Sequence, residues 1–71
     1  SISPYDWDGM MNALVVHVHE HGVPATQAEL IRAMQDWFAD QSDGDEIPDE
    51  RSIRRRVSAI WKSLSQLRKV G

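Results

Sequence analysis

Three histidines stand within five positions: His17, His19 and His21. His17 and His21 are four apart, so on a helix they share a face, a spacing that suits two ligands of one zinc ion. His19 points elsewhere on the same helix. A catalytic zinc needs three protein ligands and an open position, and the chain has no cysteine to complete a set. The plainer reading puts His17 and His21 beside a buried stripe near a helix C-terminus, with no ligand role. No metal and no cofactor is therefore expected.

The acidic stretch Ala39 to Glu50 raises a calcium reading. With Gly44 at the sixth position of a twelve-residue calcium loop, Asp43 falls fifth and Glu50 twelfth, as that pattern requires. Ala39 then takes the lead position, where a carboxylate is needed, and Gln41 the third. The stretch reads instead as a solvated connector. Covalent catalysis fares no better. Lack of cysteine excludes disulfides, thiolate zinc sites and thiol nucleophiles, and the serines have no base in a recognisable arrangement. The four glycines, Gly9, Gly22, Gly44 and Gly71, are scattered rather than gathered into a phosphate-binding loop. The chain is not expected to be an enzyme.

Charge is the strongest compositional signal. The 71 residues have a net charge of −3, with 11 acidic and 8 basic side chains. All the acids, and Arg32 alone among the bases, fall in residues 1–50. Arg51, Arg54, Arg55, Arg56, Lys62, Arg68 and Lys69 fall in residues 51–71 with no acid among them. The first part thus carries −10 and the second +7, a strong dipole behind a modest net charge.

Three helices position these groups. The first, over residues 4–21, opens at Ser3-Pro4-Tyr5-Asp6, with Ser3 as cap, Pro4 at the first helical position and Asp6 completing a capping box. Trp7, Met10, Met11, Leu14, Val15 and Val18 follow the spacing of one buried stripe. Gly22 ends the helix and Pro24 prevents its resumption. The second helix, 27–40, opens with Thr26 as cap and Glu29 three residues on, and presents Leu30, Ile31, Met34, Trp37 and Phe38. An acidic loop over 41–48 follows. The third helix, 50–68, takes Asp49 as cap and buries Ile53, Val57, Ile60, Trp61, Leu64 and Leu67. All three tryptophans lie on core stripes, where each buries up to roughly 200 Å². A chain this short buries only ~60% of its unfolded surface, so one core must use nearly every large apolar side chain.

Advancing about 100° per residue along the third helix, Arg51, Arg55, Ser58, Lys62 and Lys69 fall opposite the apolar stripe. Arg54 lies on one shoulder. Arg56 lies on the other, where its stem can cover apolar surface while its head reaches water. An α-helix fits the major groove of B-DNA, and arginine bonds bidentately to guanine O6 and N7; lysines further along would meet phosphates.

The segments Thr26-Gln27-Ala28-Glu29-Leu30-Ile31-Arg32-Ala33-Met34 and Asp49 to Leu64, within a stretch 26–64 that covers about half the chain, together resemble the helix-turn-helix class of DNA-binding domains. That resemblance implies an all-α, three-helix bundle of helix-turn-helix type, or a winged helix truncated after Val70. It implies a role in double-stranded DNA binding, as in a transcriptional regulator or mobile-element protein. Arg51, Ser52, Arg54, Arg55, Ser58 and Lys62 would then face DNA, with Thr26 or Gln27 on a backbone phosphate. Such units usually bind as symmetric dimers, and Val16, off the first stripe, is a candidate for a homodimer contact. The sequence departs from the class in its connection, since about eight residues separate Asp40 from Asp49 where a tight turn is usual. Asp43, Asp45, Glu46, Asp49 and Glu50 also crowd the end of the helix that would approach DNA. The rival reading is a protein-interaction module that uses the same arginines or the acidic loop, and Glu50–Arg54, spaced i, i+4 with the acid first, suits it.

The longest apolar run, Ala13 to Val16, is too short to span a membrane. A cytoplasmic domain, cut from a longer protein, is the expectation.

Overall fold

The start of the first helix is set by Asp6. In the computed structural model, which describes residues 4–42 and 46–70 with side chains as far as Leu67, the Gly9 N–H donates to Asp6 Oδ1 at 2.8 Å. The Asp6 carbonyl accepts from the Met10 N–H at 3.0 Å. α1 accordingly spans Trp7–His21, three residues shorter at its start than the sequence suggests, and Ser3 lies outside the described residues. Ahead of the cap, Tyr5 turns into the bundle. Its ring meets Trp7 and Phe38 edge-on, with centroids 5.9 and 6.2 Å away. Aromatic packing of this kind contributes ~0.5–1.5 kcal/mol per pair beyond area burial, and it competes with helical continuation back to Pro4.

Gly22 ends α1 as expected. Its N–H donates to the Val18 carbonyl at 2.8 Å, and its φ of 81° with ψ of 176° lies in a region that essentially only glycine occupies. α2 spans Gln27–Ser42. It opens on a reciprocal capping box: the Glu29 N–H donates to Thr26 Oγ1 at 3.2 Å, and the Thr26 N–H donates to Glu29 Oε2 at 3.0 Å. α2 runs two residues beyond the expected Asp40, and Ser42 closes it by donating its hydroxyl to the Ala39 carbonyl. α3 spans Glu50–Val70 and is capped by Asp49, whose Oδ1 accepts from the Ser52 N–H at 3.0 Å. Among the described residues there is no strand.

α2 is the central helix and packs against both neighbours. Met10 and Leu14 of α1, Leu30, Ile31, Met34 and Phe38 of α2, and Ile53 and Val57 of α3 form the buried core. Burying each such side chain fully favours folding by ~1.5–3 kcal/mol. Trp7, Trp37 and Trp61 pack at its edge, half-buried. The approach of α1 to α2 is tight at Gly9, where an added Cβ would stand 2.9 Å from Cη2 of Trp37 and would collide with the capping carboxylate of Asp6. Two residues assigned to buried stripes prove exposed: Val15 at 59% and Leu67 at 67%. Leu67 belongs to the last turns of a helix of 21 residues, about 31 Å long at 1.5 Å per residue, facing a second helix of 16. The molecule is correspondingly elongated, 39 × 24 × 17 Å. Among the described residues no helix is long and apolar enough to cross a membrane.

Candidate nucleic-acid interface

α3 is held by Ile53 and Val57, both fully buried, and by Ile60, Trp61 and Leu64 at the core's margin. With that side fixed, the helical rotation dictates what faces water. Arg51, Arg55, Ala59, Lys62 and Gln66 form an exposed strip along the far side. Among the described residues, Arg51, Arg55 and Lys62 have no carboxylate within ion-pair distance, and the ion pair that does form joins Arg54 to Glu50 at 2.5 Å. Both partners are about half exposed, so the pair contributes ~0–1 kcal/mol and exchanges readily for another anion. Of the five acids expected to crowd this end of the helix, Asp43 and Asp45 lie outside the described residues, Glu46 is exposed, Asp49 caps α3 and Glu50 pairs with Arg54.

The two shoulders of α3 are engaged. On one side the Arg56 guanidinium carbon sits 4.1 Å from the ring centre of Trp7, a cation–π contact to α1. Its position in the sequence puts Arg56 at the core edge, but nothing there points to Trp7, 49 positions earlier, as the ring its guanidinium meets. On the other side the Gln27 side-chain amide donates to Ser58 Oγ at 2.9 Å, and that hydroxyl donates to the Arg54 carbonyl at 2.7 Å. Ser58 therefore does not lie on the outward strip with Arg55 and Lys62. It is half-buried and faces the start of α2, so that Ser58 and Gln27, two of the expected contacts, tie the two helices together. No sequence signal links positions 31 apart; only the packing of α2 on α3 brings them into reach.

Ser52 is also occupied. Its hydroxyl, and after it its backbone N–H, hold the Asp49 carboxyl below the ordinary aspartate range, with Arg51 adding to the effect. Thr26 is exposed, its hydroxyl accepting within the capping box and its proton still available to an acceptor. Of the eight expected contacts, Arg51, Arg54, Arg55 and Lys62 thus present charged heads to solvent, Thr26 a hydroxyl at the start of α2, while Ser52, Ser58 and Gln27 hold structure.

His17 and His21 share a face as their spacing requires, their rings 4.9 Å apart. Among the described residues no group of three or more side chains is placed to hold a metal ion. The calcium alignment over residues 39–50 runs through 43–45, outside the described residues. Grooves on the surface are open and shallow. One of them, about 490 Å³, lies between α1 and α2.

Compared with known proteins, the chain matches no family model, no curated protein and no solved structure.

Proposed function

We propose that this domain binds double-stranded DNA as a helix-turn-helix-type unit, with α3 in the major groove and Arg51, Arg54, Arg55 and Lys62 as its principal contacts. The observation that carries the reading is the strip of open cationic heads on a helix whose opposite side is locked by Ile53 and Val57. The helix backbone is already formed, so binding has to order only the side chains, at ~0.5–1.5 kcal/mol each, and α3 has the diameter the major groove admits. In this reading Thr26, exposed at the start of α2, offers its hydroxyl to a backbone phosphate. The Gln27–Ser58 bond then acts on recognition indirectly, by fixing α3 relative to α2.

The test is fluorescence anisotropy on a mixed-sequence duplex over a range of salt. Binding should weaken steeply as salt rises. In an Arg51→Ala/Arg55→Ala variant, affinity should fall and the slope of log K against log salt should flatten by up to ~2, since each neutralised phosphate contributes about 0.9. Absence of duplex binding at low salt, or a variant that binds like the wild type, overturns the reading.

A further inference from the structure

The groove between α1 and α2 is lined by residues of those two helices alone. Its apolar part includes Met34, half-buried Trp37 and Val16, which is 46% exposed. Glu20, Asp36 and Asp40 also line it, and no Lys or Arg does. All three acids are exposed. Buried apolar surface of the bundle lies beneath, so the groove offers what an arginine-rich helix face would meet well: carboxylates for the charged heads and an aromatic and aliphatic surface for their stems.

The same chain presents such a face. Arg51, Arg55 and Lys62 project from the strip of α3 opposite Ile53 and Val57. That strip cannot reach the groove of its own molecule, because α3 is packed against the core by its other side and contributes nothing to the groove's lining. The two surfaces carry opposite charge, point outward, and occur on every copy in equal number. We propose that a second copy of this chain seats the basic strip of its α3 in the groove between α1 and α2, giving salt-sensitive, head-to-tail self-association. The contact is heterologous: each copy that donates its strip leaves its own groove open. Association of this kind adds copies head to tail, closing into a ring or running on as an open chain according to the rotation between successive copies. It also occupies the side chains assigned above to DNA, so assembly and duplex binding compete; the association itself needs no DNA and does not rest on that assignment.

Sedimentation velocity of the chain without DNA tests it. The wild type should form oligomers beyond the dimer as concentration rises at low salt and return to monomer as salt shortens the Debye length towards ~8 Å. Reversing the groove (Asp36→Lys/Asp40→Lys) or the strip (Arg51→Glu/Arg55→Glu) should each give a monomer, with helical circular dichroism retained. Mixing the two reversed variants one to one should restore association, because each then offers what the other lacks. A control with the same change in net charge away from the groove, Asp8→Lys/Glu46→Lys, should associate like the wild type. A wild type that stays monomeric at every salt and concentration overturns the proposal. So does a mixture that stays monomeric while the wild type associates, which would place the contact on another surface. Loss of duplex binding with association intact would strike only the DNA assignment.

Discussion

Ile53 and Leu67 sit on one stripe of α3 by spacing, yet truncating them should have very different effects. Ile53 is fully buried, and cutting a buried isoleucine to alanine costs ~2–5 kcal/mol in lost transfer free energy and cavity. At ~0.05–0.15 kcal/mol per residue, a chain of this length has a total stability of about 4–11 kcal/mol, so Ile53→Ala removes a large part of it. Leu67 is 67% exposed. It keeps about a third of the ~1.5–3 kcal/mol that full burial would give, or ~0.5–1 kcal/mol. Alanine is also the better helix former, which offsets part of that. Leu67→Ala should therefore cost well under 1 kcal/mol. The assay is urea denaturation followed by tryptophan fluorescence, in dilute protein at moderate salt so that only the monomer is measured. With a slope of about 1 kcal/mol per molar, the midpoint should fall by roughly 2 M or more for Ile53→Ala and by less than ~1 M for Leu67→Ala. Equal shifts would mean that the last turns of α3 are packed as tightly as its first, and the account of how the helix is held would be wrong.

Two further outcomes follow from the helix ends. Gly22→Ala should destabilise by ~1–3 kcal/mol in thermal melts: nothing lies within 4 Å of the added methyl, so the whole effect comes from the backbone conformation, and a neutral or stabilising result would contradict it. Asp49 has its carboxyl held low by Ser52, so its charged form favours the folded state; that contribution is complete above the ordinary aspartate value of about 3.9 and disappears as pH falls through the lowered one. The stability difference between wild type and Asp49→Ala should shrink over that interval, and a difference that stays constant down to acid pH would show that the carboxylate's charge plays no part in the cap.

Local punctuation was the most legible part of the sequence. Thr26 with Glu29, Asp49, and Gly22 each act within four residues, and each does what its type and position suggest. The spacing marks Asp6 as a partner in a capping box, whereas in the structure it is the cap itself and Tyr5 lies ahead of the helix against Trp7 and Phe38. Periodicity told which side of each helix is apolar but not how far the neighbouring helix reaches along it, so Val15 and Leu67 were assigned to a core that does not extend to them. The outward direction of Arg51, Arg55 and Lys62 could be read from rotation alone. The engagement of Ser58 with Gln27 and of Arg56 with Trp7 could not, since each depends on the angle at which two helices meet.

The central position of α2 bears on how quickly the molecule assembles. Each of its partners is the element next to it in the chain, so most native pairings close short stretches of backbone and little loop entropy is lost before they form. Helical topologies built from such sequence-local pairings reach the native state in microseconds to milliseconds. A nascent chain of this design could complete its core soon after Val57 emerged.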